Sequence, residues 1–395
     1  MARKIDPTSI PKEWKYDLLD KFAVRCSGHT PSQSFPEYWD GGIKWISLAD
    51  SNRLDKGYIF NTSKEISEDG VKNSSAVLLP AETVVLSRDA GIGKSAVMYE
   101  PMAVSQHFIA WKCDNSHKIN SWFLYNWLQL NKTEFERQAV GSTIKTIGLP
   151  YFKKLKIALP PYQEQEKIAQ ILSTWDQAIS AAEKLLKNSQ QQKKALMQQL
   201  LTGKKRLLDE NGVKFSDEWQ RIELGLLLDY QQPTPYLVES TAYSDSYETP
   251  VLTAGKTFIL GYTNESSGIY QDQLPVIIFD DFTTDSKYVN FPFKAKSSAM
   301  KILTAKKGVS IKFVFEAMQM LQFTVGGHQR HWISIFSNLV IPLPNKKEQQ
   351  QIAEVLSLAD QEIETLQKKL DCLQQEKKAL MQQLLTGKKR VKVAA

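Results

Sequence analysis

Apolar positions along this chain follow two different periods. Ile168, Leu172, Trp175, Ile179, Ala182, Leu186, Ser189, Lys193, Leu196 and Leu200 advance by alternating steps of four and three. Ile352, Leu356, Ala359, Ile363, Leu366, Leu370, Leu373, Lys377, Leu380 and Leu384 do the same. A narrow seam of this spacing marks a coiled coil, whereas a helix laid on a globular core shows an apolar stripe of about 100° or more. Each seam follows a proline break, Pro160-Pro161 or Pro342 and Pro344, and stops at Gly203 or Gly387 followed by Lys-Lys-Arg. That puts proline before the helix, glycine after it and cations at the negative end of its dipole. Two helices of about 39 residues are predicted, each roughly 58 Å long at ~1.5 Å per residue. Elsewhere the apolar residues fall in short runs such as AVLLP, ETVVLSRD, LPVIIFDDF, NFPFKAK and LVIPLP, broken by SGHTPSQS, WDGG, DAGIGKS, TAGKT and VGGH. These read as mixed α/β segments with many loops.

The two helices are copies. Residues 193–206 and 377–390 both read KKALMQQLLTGKKR, and at the same offset of 184 EQEKIAQILSTWDQAI (from Glu164) aligns with EQQQIAEVLSLADQEI (from Glu348). The match runs back into the preceding strand, pairing Phe152, Leu155, Ile157, Leu159 and Pro160 with Phe336, Leu339, Ile341, Leu343 and Pro344. It divides the chain into a globular segment 1–162, a helix 163–206, a second globular segment 207–344 and a second helix 345–395. Each globular segment carries Glu-Trp near its start (Glu13-Trp14, Glu218-Trp219), while the middles differ. The first helix ends at the segment from which the second departs, so the two run antiparallel if they pack together. The expected fold is α+β: two mixed α/β domains joined by two long antiparallel coiled-coil helices with pseudo-twofold symmetry. Lys193 and Lys377 hold equivalent seam positions, either as polar residues that fix register or as lysines snorkelling from a loose end.

Composition narrows the function classes. At 395 residues, 42% hydrophobic and 24% charged, the chain is neither disordered nor low-complexity. No run approaches the ~18 apolar residues of a membrane helix and MARKIDPTSIPKEW has no apolar signal core, so a cytoplasmic protein is expected. Cys26, Cys113 and Cys372 lie far apart and read as reduced thiols, with neither a disulfide framework nor a zinc site. The net charge is +7, distributed as +4 (residues 1–162), +4 (163–206), −4 (207–344) and +3 (345–395). Basic character suits a polyanion partner, but the acidic second segment argues against indiscriminate phosphate binding there. Lys294, Lys296, Lys301, Lys306, Lys307 and Lys312 form either a local basic stripe or a solvated charged surface.

Catalytic motifs nearly appear and then fail. VVLSRDAGIGKSAV resembles a strand and phosphate loop, but Arg88 stands where the first glycine of GxxxxGK is required. A basic loop offering Arg88, Lys94 and Ser95 to nucleic-acid phosphate, or a plain turn, fits better. Leu159-Pro160-Pro161-Tyr162 resembles the Asp/Asn/Ser-Pro-Pro-Tyr signature of amino-methyltransferases, yet Leu159 cannot bond a target amine. The histidines His29, His107, His117, His328 and His331 form no metal motif. In Phe279-Asp280-Asp281-Phe282, adjacent strand positions face opposite ways, so a shared metal is not expected. No nucleophile is paired with a base, and no catalytic residue is assigned.

The whole arrangement closely resembles the specificity subunit of type I restriction-modification systems, in which two variable recognition domains are each followed by a long helix. LPPYQEQEKIAQIL and LPNKKEQQQIAEVL are similar to the family's Leu-Pro, Glu-Gln, Ile-Ala stretch. Residues 27–50 and 86–94 resemble one recognition-domain type, and residues 276–303 and 326–334 another. The second copy departs in having Asn345 where the first has Pro161. The resemblance implies a non-catalytic subunit that reads double-stranded DNA and binds two adenine methyltransferase subunits, through which two ATP-driven restriction and translocase subunits can join. S-adenosylmethionine, ATP and magnesium then belong to the partners, and this chain needs no cofactor or metal of its own. Whether restriction subunits accompany the complex, and which bases are read, stay open.

Expected DNA contacts are His29, Thr30, Lys44, Arg88, Lys94, Ser142, Thr143 and Lys145 in the first domain. In the second they are Lys256, Tyr262, Lys294, Lys296, His328 and Arg330. Cations on phosphate or guanine and hydroxyls on base edges are the chemistry invoked. A structural scaffold whose globular ends bind proteins is the alternative from another class, and a fused methyltransferase ranks third.

Overall fold

The computed structural model describes residues 10–113, 117–141, 145–253, 257–321 and 331–392, His331 by its backbone alone. Two compact units emerge: residues 1–183 with 369–395, and residues 184–368. Each contains one globular domain and one stretch of each long helix. Both long helices are 39 residues, Tyr162–Leu200 and Lys346–Leu384.

In the first unit a five-stranded sheet runs in the order Val24–Ser27, Phe108–Lys112, Val84–Ser87, Ser95–Met98, Tyr58–Ile59. Lys64–Ile66, Trp39–Ile46 and Ala103–Val104 make a second sheet of three strands. Ser121–Leu130 forms a docking helix whose Phe123, Leu124 and Leu128 are fully buried against Val84, Leu86, Val97 and Ile109 of the sheet and Ile168 and Leu172 of the first long helix. SWFLYNWLQL has no polar face because it is covered on nearly every side.

The second unit follows the same plan with other sheets. Four strands run in the order Leu228–Gln231, Met300–Ala305, Val276–Asp280, Ser286–Val289, and three in the order Ile259–Thr263, Thr249–Leu252, Lys294–Ala295. Its docking helix, Ile311–Met318, buries Phe313, Val314 and Met318 with Ile277, Phe279, Leu303, Leu200, Ile352 and Leu356.

A framework repeats from unit to unit down to single atoms. A two-stranded ribbon joins each domain to its helix, Lys15–Leu18 with Lys156–Leu159 and Gln220–Glu223 with Val340–Leu343, both antiparallel. Trp14 meets Phe123 edge-on at 6.4 Å, and Trp219 meets Phe313 at 6.2 Å, with the same 76° between ring planes. Arg390 Nε donates to Glu164 Oε1 at 2.7 Å, and Arg206 Nε to Glu348 Oε1 at 2.6 Å. Each long helix closes on a left-handed glycine, Gly203 at φ 71° and Gly387 at φ 75°. Gly203 N–H reaches Leu200 O and Gly387 N–H reaches Leu384 O, and beyond them Lys205 N–H reaches Gln199 O at 3.0 Å and Lys389 N–H reaches Gln383 O at 3.1 Å, which satisfies carbonyls the helix leaves open.

The helix stretches inside each unit are antiparallel. In the first, Glu164 pairs with Arg390 and Asp176 with Lys377. In the second, Lys193 pairs with Asp360 at 2.6 Å, while Arg206, six residues past the end of the first helix, meets Glu348. The seam lysines are therefore polar register points held by the same aspartate of the opposite copy, and neither snorkels. Every seam position named above is buried or half-buried, while Leu185 and Leu358, which lie off the seam, are 53% and 59% exposed.

Candidate nucleic-acid interface

The loop between Val84–Ser87 and Ser95–Met98 is a β-hairpin turn, because the two strands pair antiparallel with Leu86 opposite Ser95. A strand rather than a helix follows Lys94, so the loop cannot aim a helix N-terminus at phosphate as a nucleotide-binding loop does. Gly91 and Gly93 take φ of 77° and 80° to make the turn, and a Cβ on Gly93 would lie 2.9 Å from Lys132 Cγ. That close approach brings the turn against the helix Lys132–Gln138. Between them opens a cleft of about 480 Å3 lined by Asp89, Gly91, Lys94, Lys132, Glu136 and Lys145, among others.

Polar bonds tie this cleft to the expected contact residues of the first domain. Thr30 Oγ1 is bonded to Gln106 Oε1, and the next residue, His107, places Nδ1 2.5 Å from Asp89 Oδ2. Asp89 also accepts from Thr146 Oγ1, and Arg88 Nε stands 3.7 Å from Asp89 Oδ1. Arg88 O accepts from Ile147 N–H at 2.9 Å, which holds Lys145 beside the turn. Lys94 Nζ donates to Ser51 O at 3.0 Å and retains two further donors. The fold thus brings Arg88, Lys94 and Lys145 to one turn, while Thr30, next to exposed His29, is bonded to Gln106, the neighbour of the turn's partner His107. Lys44 is drawn elsewhere: its ammonium serves Phe60 O at 2.6 Å and the Glu100 carboxylate. Ser142 and Thr143 lie outside the described residues.

Lys132 and Glu136 carry no sequence motif, and the reading of the chain missed them. Lys132 Nζ is 2.7 Å from Asp55 Oδ2, and Gln129 Nε2 donates to the other oxygen of Asp55 at 2.6 Å. Only the fold reveals that the start of this short helix faces the glycine turn.

In the second domain Tyr262 and Lys296 come to the two sides of the strand Thr249–Leu252: Pro250 is opposite Tyr262, and Lys296 N–H donates to Leu252 O at 2.8 Å. Lys296 is exposed and Tyr262 half-buried. Lys294 is a correction, for its side chain is 3% exposed, 2.7 Å from Glu265 Oε2, and donates to Ser267 O. The ammonium holds the Glu265 carboxyl below its ordinary range. Lys256, His328 and Arg330 lie outside the described residues.

Of the two readings of the lysines at 294–312, neither a basic stripe nor a solvated charged surface describes the whole cluster. Lys301 is buried beside Asp281, Lys306 donates to Gly225 O, and Lys312 is bound by Glu316 and Asp360. Only Lys296 and Lys307 of the six are exposed. The neighbouring carboxylates are similarly occupied: Asp280 accepts from Thr283 Oγ1 at 2.6 Å, and Asp281 from Trp332 N–H at 2.9 Å. Among the described residues no group of His, Cys, Asp and Glu could hold a metal ion, and no helix is long and apolar enough to cross a membrane.

Comparison with known proteins gives the frame for these surfaces. A type I restriction enzyme specificity subunit of Escherichia coli is 54% identical over 132 residues, which is 32% of each chain. A putative type I restriction enzyme specificity subunit of Methanocaldococcus jannaschii is 25% identical across 99% of this chain and 97% of its own. The crystal structure of the type I restriction-modification S subunit from M. genitalium shares the fold at a TM-score of 0.64 and 16% identity, covering 95% of this chain and 96% of that one. The type I restriction modification DNA specificity domain matches twice, at residues 11–190 and 216–375, once over each copy of the repeated framework. With both copies matched, the chain belongs to the type I restriction-modification DNA specificity family.

Proposed function

We propose that this chain is the non-catalytic DNA-reading subunit of a type I restriction-modification complex. Each globular domain enters the major groove and reads one half of a bipartite target, with phosphate contacts positioning it and base contacts specifying sequence. The long helices set the unread gap and dock two adenine methyltransferase subunits, through which restriction subunits join. S-adenosylmethionine, ATP and magnesium act on those partners, in the cytoplasm.

One observation carries this reading: the framework of the two units repeats in its ribbons, aromatic contact, arginine–glutamate pair and glycine caps while the surfaces it presents differ. The first domain offers a lysine-lined cleft beside a glycine turn, and the second a three-stranded sheet with Tyr262 and Lys296 on opposite sides of its central strand. A scaffold with two protein-binding ends has no need to vary both heads on one chassis, whereas a reader of an asymmetric site does. The test is to coexpress the chain with its methyltransferase partner and map methylated adenines across the host genome. The expected result is one asymmetric two-part motif with a gap of fixed length. Methylation without a motif, or at a palindrome, overturns the proposal.

A further inference from the structure

We propose that Gln165 and Gln349 are positioning residues for target reading, each clamping one recognition domain to the first turn of its long helix. The inference deepens the DNA-reading function and rests on it. Gln165 is 1% exposed and Gln349 2%. Gln165 Nε2 donates to Pro160 O at 2.9 Å and to Lys118 O at 3.1 Å, while its Oε1 accepts from Asn120 N–H at 2.8 Å. Gln349 Nε2 donates to Pro344 O at 2.8 Å, and its Oε1 accepts from Ser310 N–H at 2.9 Å. Asn120 and Ser310 are the N-caps of the two docking helices, and their side chains receive Phe123 N–H and Phe313 N–H.

One planar amide thus joins three parts in each unit: the long helix, the proline carbonyl just past the ribbon strand, and the start of the docking helix. Glutamine suits the post because it is donor and acceptor at once without carrying charge into a dry site. The N–H of an N-cap residue has no partner within its own helix, so the glutamine oxygen is what fixes that end. In the first unit the docking helix has 10 residues and leads directly into the helix that bears Lys132 and Glu136 at the cleft. A tilt of a few degrees at its start moves its far end by roughly an ångström over ~15 Å, more than base recognition tolerates.

Full-length Q165A, Q165M, Q349A and Q349M, each copurified with the methyltransferase partner, are to be challenged with a randomised duplex library well below the melting temperature of each variant. The near-isosteric methionine variants keep the test alive if an alanine variant fails to fold. The expected result is a loss of about tenfold in base discrimination, the size of one buried hydrogen bond, confined to one half-site for the Gln165 variants and to the other for the Gln349 variants. A purely structural role would lower the melting temperature and blur neither half selectively. Equal loss in both halves, or full discrimination in both, overturns the clamp. A wild-type complex that selects no two-part motif overturns the DNA-reading function itself, and the clamp with it.

Discussion

Glu164 and Glu348 occupy the same post in the two units, but their arginine partners do not share the same surroundings. The Arg206 side chain is 16% exposed and that of Arg390 39%, while the carboxylates are 2% and 0% exposed. Trp219 Nε1 also donates to Glu348 at 3.1 Å, and Glu13 takes a second bond from Arg390. Removing one partner of a buried pair strands the other charge in a dry site, a loss of about 3 kcal/mol. Arg206→Met should therefore destabilise its unit by about that much, and Arg390→Met by clearly less because water screens the more open arginine. Urea unfolding of the two variants, monitored by tryptophan fluorescence, checks the order. At Asp360, burial raises the carboxyl, but hydrogen bonds from Lys193 and Lys312 outweigh it and hold the group below its ordinary range. A carboxyl depressed in the folded state contributes stability that is complete above its unfolded value, near 4, and disappears as pH falls through the folded value. Acid unfolding of the second unit should begin below about pH 4, and Asp360→Asn should flatten that limb of the melting-temperature profile.

The helix caps are repeated, yet their neighbours differ in distance. A Cβ on Gly387 would sit 2.5 Å from Pro11 Cγ, whereas one on Gly203 would find the Trp219 ring no nearer than 3.7 Å. Both substitutions force a left-handed backbone on alanine, which costs about 1–2 kcal/mol. Gly387→Ala should therefore lower the melting temperature more than Gly203→Ala, the difference being the clash. The long helices were legible in the sequence because a 3.5-residue seam and an intact duplication leave little freedom. The docking helices were not: Ser121–Leu130 is apolar on nearly every side and shows no helical stripe, and Ile311–Met318, at eight residues, is too short for a period to be read. At the candidate site, the glycine turn with Arg88 and Lys94 was legible as a loop, but local sequence cannot say that Lys132 faces it. Nor could it separate Lys294, neutralised by Glu265 from a different loop, from exposed Lys296 two residues away. Charge patterns report composition, and burial is decided by partners distant in sequence.

At the scale of the whole molecule, the number of residues in the long helices is the quantity that a spacer mechanism depends on. Inserting one heptad into each helix preserves the seam and adds roughly 10 Å at ~1.5 Å per residue. Methylome mapping of that variant should return both half-sites unchanged and a longer gap, and an unchanged gap would show that the helices do not measure it. The repeat also records how far the two copies have diverged. Trp14 and Trp219 are 205 residues apart, the caps Asn120 and Ser310 are 190 apart, and Gln165 and Gln349 are 184 apart. The second copy is therefore shorter between anchors, by 15 residues from tryptophan to cap and by 6 from cap to glutamine.

The short ribbons have a practical reach beyond holding the domains in place. Chain enters each head at Leu18 or Glu223 and leaves at Lys156 or Val340, and these are directly opposed partners in the ribbon register. Opposed residues of an antiparallel pair stand only ~5 Å apart. Everything between them has both cut ends at one spot, so a head exchanged here must match two neighbouring backbone positions and bring a docking helix that seats on the same long helix and glutamine. Leu18/Lys156 and Glu223/Val340 are thus the junctions at which a head exchange is to be cut, and a hybrid joined there should keep its ribbon register.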